Sequence, residues 1–366
     1  MRLLIGVGGV AFAVLLVFIN LGFLGSLNET AGVLYNQMDA DIFLISPLST
    51  NGTSTKIFDR ERLYQAQSYA DVESAVPLYI GYLSWRDLAT TEQNLILCLG
   101  FNPAENPWLL PELGEPANQA GLAAVDSVLF DVRSQPKYGK AEVGLEAEAN
   151  NRQVKIGGLY SLGGGLAADG TLLVSDQNFV RIMRSRPLDQ IDLGLIKLKP
   201  NSDINQAIAD LRAMLPEDVS LYTKSALVER ERQYWLKTTA VGFIFRLGTG
   251  IALIVGASIV YQILYADVTK NFKEYATLKA IGFRNQFVMG VVVQESLLLA
   301  IVGFVPGLVS SWALYQFVLL SSNGAIPMKM SLAQIFQVAI LTAGMCLVSG
   351  LIAMRKVLAA DPADVF

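Results

Sequence analysis

Histidine is absent from all 366 residues, and only two cysteines, Cys98 and Cys346, are present. The first absence excludes His-based triads, imidazole metal sites and histidine proton relays. The second leaves two thiols far apart in the chain, so neither a disulfide framework nor a C-x-x-C metal site can form within one copy. Both cysteines read as small buried hydrophobes. Charge is also scarce: Asp, Glu, Lys and Arg make up 16% of the chain, against about a quarter in ordinary soluble domains. A net charge of −4 argues against nucleic acid as a partner. The phosphate-binding order G-x-x-x-x-G-K-[ST] occurs nowhere, and the Gly163–Gly165 run does not supply it. Any ATP that drives this protein is therefore expected on another chain, and no cofactor is expected here.

What the chain has instead is length without charge. Four apolar runs reach the roughly 20 residues that cross a bilayer as a helix: Leu3 to Leu24, Val241 to Tyr265, Phe287 to Leu320, and Leu332 to Ala353. The first follows Arg2, as in a signal peptide, but it is long for one and no A-x-A site follows, so it reads as an uncleaved anchor. The composition and order predict an α-helical membrane protein with four transmembrane helices and a large α+β extracytoplasmic domain between the first and second.

Basic residues near span ends set the expected orientation. Lys270, Lys273, Lys279 and Arg284 lie between the second and third runs, Arg355 and Lys356 follow the fourth, and Arg2 precedes the first. Lys329 alone lies between the third and fourth. Both termini and the 266–286 loop are therefore expected in the cytoplasm of an inner (plasma) membrane protein. The segment from Asn28 to Lys237, with 27 acidic and 19 basic residues, is expected outside. Tyr234 and Trp235, Tyr261 and Tyr265, and Trp312 and Tyr315 suit the headgroup layers. The expected division is residues 1–27 as the first span, 28–238 as the outer domain, and 239–366 as a three-helix membrane domain with its C-terminal tail.

Within the outer domain, "VESAVPLYIGYLSW", "NLILCLGF", "IDLGLIKLKP" and "VSLYTK" read as strands by their β-branched and aromatic content. "DRERLYQAQSYA" and "SDINQAIADLRAML" read as helices, capped by Asp59 and Ser202. "GFNPAENPWLLPELGEPAN" and "SLGGGLAADG" read as loops. Glu142, Glu146 and Glu148 read as a solvated acidic face. From Ser225 the pattern is helical and meets no Gly or Pro until Gly242, which predicts one stiff helix running into the second span.

Polar marks inside the spans are few. Arg246, Gln294 and Glu295 stand out, because a charge at mid-helix is costly and needs a partner or an interface. Gly303 and Gly307 permit close helix approach, with Pro306 between them. An intramembrane interface is expected at Glu295, Gly303 and Gly307.

A short charged segment, "KEYATLKAIGFRN", separates the second and third spans. Phe272, Tyr275, Leu278 and Ile281 fall three apart and suggest one apolar face of a helix over 270–283, with Gly282 as its stop. By residues alone this helix could lie on lipid, pack on its own protein, or dock into a soluble partner.

"KEYATLKAIGFRNQFV" resembles the E-x-[AG]-x-L-[RK]-A-[LIM]-G signature of the FtsX/MacB-like ABC permeases, and "AMRKVLAADPADVF" resembles that family's ending. "DADIFLISPLST", "VPLYIGY", "LGFNP", "VSDQNF", "DLGLIKLKP" and "IVYQILYADV" look like the cyanobacterial DevC type within it. The resemblance implies that Glu274, Tyr275, Leu278, Lys279, Ala280, Ile281 and Gly282 form a coupling helix against a separate ABC ATPase subunit. It further implies a homodimer that transmits motion, a membrane-fusion adaptor, a TolC-like outer-membrane duct and a lipid-like cargo such as a glycolipid. FtsX-like relatives instead regulate a cell-wall hydrolase, and others release lipoproteins; a membrane enzyme fits the composition poorly. Members of the family usually carry a basic amphipathic stretch before the first span. The resemblance therefore implies either residues upstream of Met1 or the loss of an element at the membrane surface.

Overall fold

The computed structural model describes residues 2–88, 92–163, 168–184, 186–281, 283–322, 324 and 326–359. In chain order the elements begin with α1 (Arg2–Thr30), α2 (Val33–Asn36), β1 (Ile42–Ile45), β2 (Phe58–Asp59), α3 (Glu61–Gln67), β3 (Val72–Asp87) and β4 (Asn94–Phe101). There follow α4 (Pro116–Ala123), β5 (Ser127–Asp131), β6 (Glu146–Ala149), β7 (Arg152–Tyr160), β8 (Thr171–Ser175), α5 (Asp176–Met183), β9 (Gln190–Ile191) and β10 (Leu193–Leu198). The chain continues with α6 (Ile204–Met214), β11 (Ser220–Thr223), α7 (Lys224–Gln233), α8 (Ala240–Lys270), α9 (Phe272–Ala280), α10 (Asn285–Ser321) and α11 (Leu332–Ala359). Contacts divide it into a membrane unit (Met1–Ser26, Ala240–Ser321, Met328–Phe366) and an inter-span unit (Leu27–Thr239, Ser322–Pro327).

The inter-span unit is organised by one long strand. The first half of β3 pairs with β10 and completes a sheet in the order β11-β1-β10-β3. Its second half pairs with β4 from Tyr79 to Trp85, and its last residues pair with β6, Trp85 opposite Ala149. Because β4, β8, β5, β7 and β6 are neighbours in that order, the β3–β6 pairing closes a six-stranded ring. Closure removes the unpaired edges that a six-stranded open sheet would expose. Two of its pairings, β4–β8 and β5–β7, are parallel.

Strand periodicity explains why β4 reads as a continuous apolar run. Ile96 and Cys98 enter one core with Trp85, Phe130, Leu172 and Val174, while Leu97 and Leu99 enter a second with Leu129, Leu173 and Tyr160. Successive side chains point to opposite faces, so a strand buried on both faces needs no polar alternation. Leu63 and Ala66 of α3 and Ala207 and Leu211 of α6 join the first core; Tyr35 of α2 and Leu227 of α7 join the second.

Three local expectations are corrected. Asp59 does not cap a helix: it lies in β2, paired with Gln190, and α3 starts after Arg60. The cap of α6 is Asp203 rather than Ser202, its carboxylate accepting from the Asn205 and Gln206 amides at 2.8 and 3.3 Å. The stiff helix from Ser225 into the second span is broken. After α7 the chain makes a π-helical turn, Tyr234–Thr238, and Thr239 is extended with φ −86° and ψ 152° before α8 begins. An extended residue cannot continue the helical hydrogen-bond ladder, so no rod passes this point. The loop around Pro103–Gly114 is built from two 3-10 turns, each opened by proline at its first position.

In the membrane unit four helices are long and apolar enough to cross a bilayer. They pack through small residues. A Cβ on Gly303 would lie 2.6 Å from Val10 Cβ, and one on Gly307 would lie 2.7 Å from Val14 Cβ and 2.8 Å from the Ala11 carbonyl. The expected Gly303–Gly307 interface is thus occupied by α1 of the same chain. Gly9 is filled by Ile259 of α8, and Gly256 by Ala13 and Met345. Ser349 Oγ donates to the Ala257 carbonyl at 2.8 Å, tying α11 to α8. Tyr315, expected in the headgroup layer, is buried instead: its hydroxyl bonds the Phe18 carbonyl and accepts from Gln334. Trp312 remains exposed. α10 continues helically through Pro306.

Candidate docking segment between the second and third spans

Asn271 separates α8 from α9. Its side-chain amide donates to Asp267 Oδ2 at 3.2 Å, and its carbonyl accepts the Glu274 and Tyr275 amides at 3.0 and 3.2 Å. The chain therefore turns within one residue and starts a new short helix. After α9 the Ile281 amide bonds the Thr277 carbonyl and the Phe283 amide bonds the Leu278 carbonyl, which closes the last turn before α10.

The expected single face does not form. Tyr275 is buried among Val268 of α8, Val292 of α10 and Met354 of α11, with Phe272 beside it. Leu278 is half-buried, whereas Ile281 is 71% exposed. Helical geometry accounts for the split: at about 100° per residue, each three-residue step falls some 60° short of a turn. Four residues spaced by three therefore fan across half of the helix. The inner end of the fan anchors α9, and the outer end presents apolar surface.

Two exposed aromatic residues extend that surface. Phe283 and Phe287 have ring centroids 4.7 Å apart and stand open beside exposed Arg284 and Gln286. Neither belongs to the three-residue series, so periodicity within the helix could not single them out; the signal was two phenylalanines in an otherwise charged stretch. Lys273 and Glu274 are exposed on α9. The side chains of Lys279 and Ala280, and all of Gly282, lie outside the described residues, as does the tail from residue 360.

Electrostatics around the anchor are acidic. Burial raises the Tyr275 hydroxyl above its usual range, and the carboxyls of Glu295, Asp267 and Glu274 raise it further. Glu295 is partly buried on α10 within hydrogen-bonding reach of Asp267 on α8. Gln294 is exposed, and Arg246 is exposed on α8 with its Nε donating to the Gly242 carbonyl at 3.3 Å.

The acidic face expected in the inter-span domain is in part paired. Glu148 bonds Arg86 across the β3–β6 junction, and Glu146 accepts from Gln153 at 2.7 Å. Glu142 is exposed. Among the described residues no group of three or more potential acidic or cysteine ligands could hold a metal ion. Gly163 is described and has φ +76°, while Gly164 and Gly165 are not.

No curated protein matches the chain. Among solved structures it is similar to the periplasmic region of MacB from Actinobacillus actinomycetemcomitans, at 12% identity and a TM-score of 0.37, over 52% of this chain and 92% of that one. It is similar to the extracellular domain of the noncanonic ABC-type transporter YknZ from Gram-positive bacteria, at 11% identity and a TM-score of 0.35, over 50% and 99%. A domain of a putative permease protein from Porphyromonas gingivalis matches at 14% identity and a TM-score of 0.31, over 51% and 88%. The family model for the FtsX-like permease C-terminal domain matches residues 246–362. Those residues take in α9, α10, α11 and all but the first six residues of α8, so the match to the FtsX-like permease C-terminal domain covers the last three long helices and the short helix between the first two of them.

Proposed function

We propose that this chain is the membrane subunit of an ATP-driven ABC export complex in the inner membrane, with both termini and the 271–284 segment in the cytoplasm. It works as a homodimer, and a separate ATPase subunit binds and hydrolyses the nucleotide. The observation that carries this reading is the apolar surface of Ile281, Phe283 and Phe287, exposed within an FtsX-like domain and beside a helix anchored in the spans. Such a surface suits a groove on a soluble partner.

The anchor suggests how force travels. Tyr275 shares one buried cluster with Val268 of α8, Val292 of α10 and Met354 of α11, so a displacement of α9 reaches three spans rather than being absorbed by a loop. The ATPase must bind the segment with different affinity in its two nucleotide states, or nothing is transmitted. In this reading motion reaches the inter-span domain, which lies outside the membrane, and cargo does not pass between the spans. The resemblance to the DevC type favours a lipid-like cargo such as a glycolipid, a membrane-fusion adaptor and a TolC-like duct.

The experiment is to replace Ile281 and Phe283 with aspartate and measure ATPase stimulation by the reconstituted permease. Stimulation is expected to fall at least about ten-fold while membrane insertion is unchanged, as for truncation of a central anchor at an interface. Unimpaired stimulation removes the docking assignment. Orientation is tested separately by labelling Val125→Cys in intact cells, since Val125 is 65% exposed and the two native cysteines are buried. Labelling only after the inner membrane is breached reverses the orientation.

A further inference from the structure

Among the described residues of the inter-span domain three carboxylates are more than nine-tenths buried: Asp131, Asp192 and Glu231. Asp131 accepts from the Arg133, Leu162 and Gly163 amides and the Thr171 hydroxyl. Asp192 pairs with Arg186 and accepts from the Ile80 amide and the Thr55 hydroxyl. Glu231 differs in where its donors stand: on the segment that continues from α1, in the 46–57 loop and in the turn that leads into α8.

Its Oε2 accepts from the Gly52 amide at 2.8 Å and from the Tyr35 hydroxyl at 3.3 Å, and its Oε1 accepts from Trp235 Nε1 at 2.9 Å. Tyr35 stands on α2, five residues beyond the end of α1. Gly52 sits in the 46–57 loop, whose turn is held by Asn51 Oδ1 accepting the Thr53 and Ser54 amides at 2.9 and 2.7 Å. Trp235 lies in the π-helical turn that follows α7. A side chain at position 52 has no room, since a Cβ there would lie 2.0 Å from the Tyr35 hydroxyl. The Arg230 guanidinium reinforces the arrangement: it donates to the Ser49 carbonyl and lies 5.4 Å from the Tyr222 ring centre.

The π turn matters because it is the widened, rare form of helix, found mostly as single turns and frequently at functional sites. Here it is pinned at both ends. Trp235 donates its indole N–H to Glu231, while the Trp235 carbonyl accepts from the Thr239 hydroxyl at 2.6 Å. Burial raises the Glu231 carboxyl above its ordinary range, while its three neutral donors and the neighbouring Arg230 guanidinium pull the other way. A buried charge depends on every donor it has.

We propose that Glu231 is a latch that joins α2, the 46–57 loop and the 234–238 π turn into one cooperative unit, so that the three segments open together. The segments that continue from α1 and lead into α8 are then locked to each other inside the domain. Release of one carries the others with it. The latch is independent of whether an ATPase drives the chain.

Hydrogen–deuterium exchange on the full chain in detergent micelles tests this. Tyr35→Phe removes one hydroxyl and little volume. Exchange is expected to rise roughly ten-fold or more in peptides covering 33–37, 50–55 and 232–239 alike, since hydrogen bonds to a buried charge are among the stronger ones. Trp235→Phe, which strikes from the other side, is expected to give the same three-segment response. Acceleration confined to the peptide that carries each substitution overturns the latch. Equal acceleration in β4 and β8 means a general loss of stability and overturns it as well.

Discussion

The two units of this chain reach stability by opposite routes. The inter-span domain closes a ring of strands around aromatic and branched residues, and it spends buried carboxylates and ion pairs to specify where loops and helices attach. Among the described residues of the membrane unit no carboxylate is more than nine-tenths buried. Its hydroxyls mostly bond carbonyls one turn back in their own helix, as Ser296 does with Val292 and Thr342 with Val338. Its helices meet where glycine lets a neighbour's side chain approach the backbone. With lipid on both sides of the comparison, apolar burial gives no preference for one helix arrangement, so shape decides. In water burial drives collapse, and polar partners select the details.

The comparison breaks most sharply at Trp85. This residue sits where β3 pairs with both β4 and β6, lies 5.7 Å from the Phe130 ring, and donates its indole N–H to the Tyr138 carbonyl at 2.9 Å. Trp85→Ala is expected to cost about 3–5 kcal/mol, read as a lower denaturant midpoint of the inter-span domain with the membrane unit's thermal transition unmoved. Next in size is Gly307→Leu, expected to cost roughly 1–3 kcal/mol by overpacking against Val14. Gly250→Leu is the matched control, because nothing lies within 4 Å of a Cβ there. Equal effects at the two glycines would mean that small-residue packing does not hold the bundle.

The smallest effect is electrostatic and should separate the units by pH. Asp126 is held below its usual range chiefly by hydrogen bonds from Arg152, at 2.6 and 2.9 Å. A carboxyl depressed in the folded state contributes stability above its unfolded pKa, and that contribution is lost as pH falls through the lower, folded value. Glu231 has the opposite sign: its raised value penalises folding at neutral pH, and the penalty is relieved as pH falls toward the ordinary 4.5. Asp126→Asn should therefore flatten the acid side of the inter-span domain's stability curve, and Glu231→Gln should flatten its slope above pH 4.5. Neither should move the membrane unit's transition, measured by heating in detergent at each pH.

Much of this architecture was legible beforehand, and for a common reason. Span positions, the runs of β3 and β4, and the charged segment between α8 and α10 all follow from residue type over a short window. The exact ends were less legible. Asp203 rather than Ser202 caps α6, and the helix expected to pass unbroken from Ser225 stops at Thr239, because capping and helix breaks turn on single backbone angles. In the 271–284 segment the periodic series was visible, yet Tyr275 is buried against the long helices and Ile281 is exposed. Which side of a helix faces its own protein depends on what packs there.

Residue order by itself determined that four helices suit a bilayer, that a large mixed domain lies between the first two, and that a short charged helix follows the second. These are local consequences of satisfying backbone hydrogen bonds and hiding apolar surface. Only the tertiary structure decided that β3 and β6 close a ring, that Gly303 and Gly307 receive α1, and that Glu231 joins residues 196 and 179 positions away. Those outcomes rest on pairings between distant segments, whose closeness no window of sequence contains.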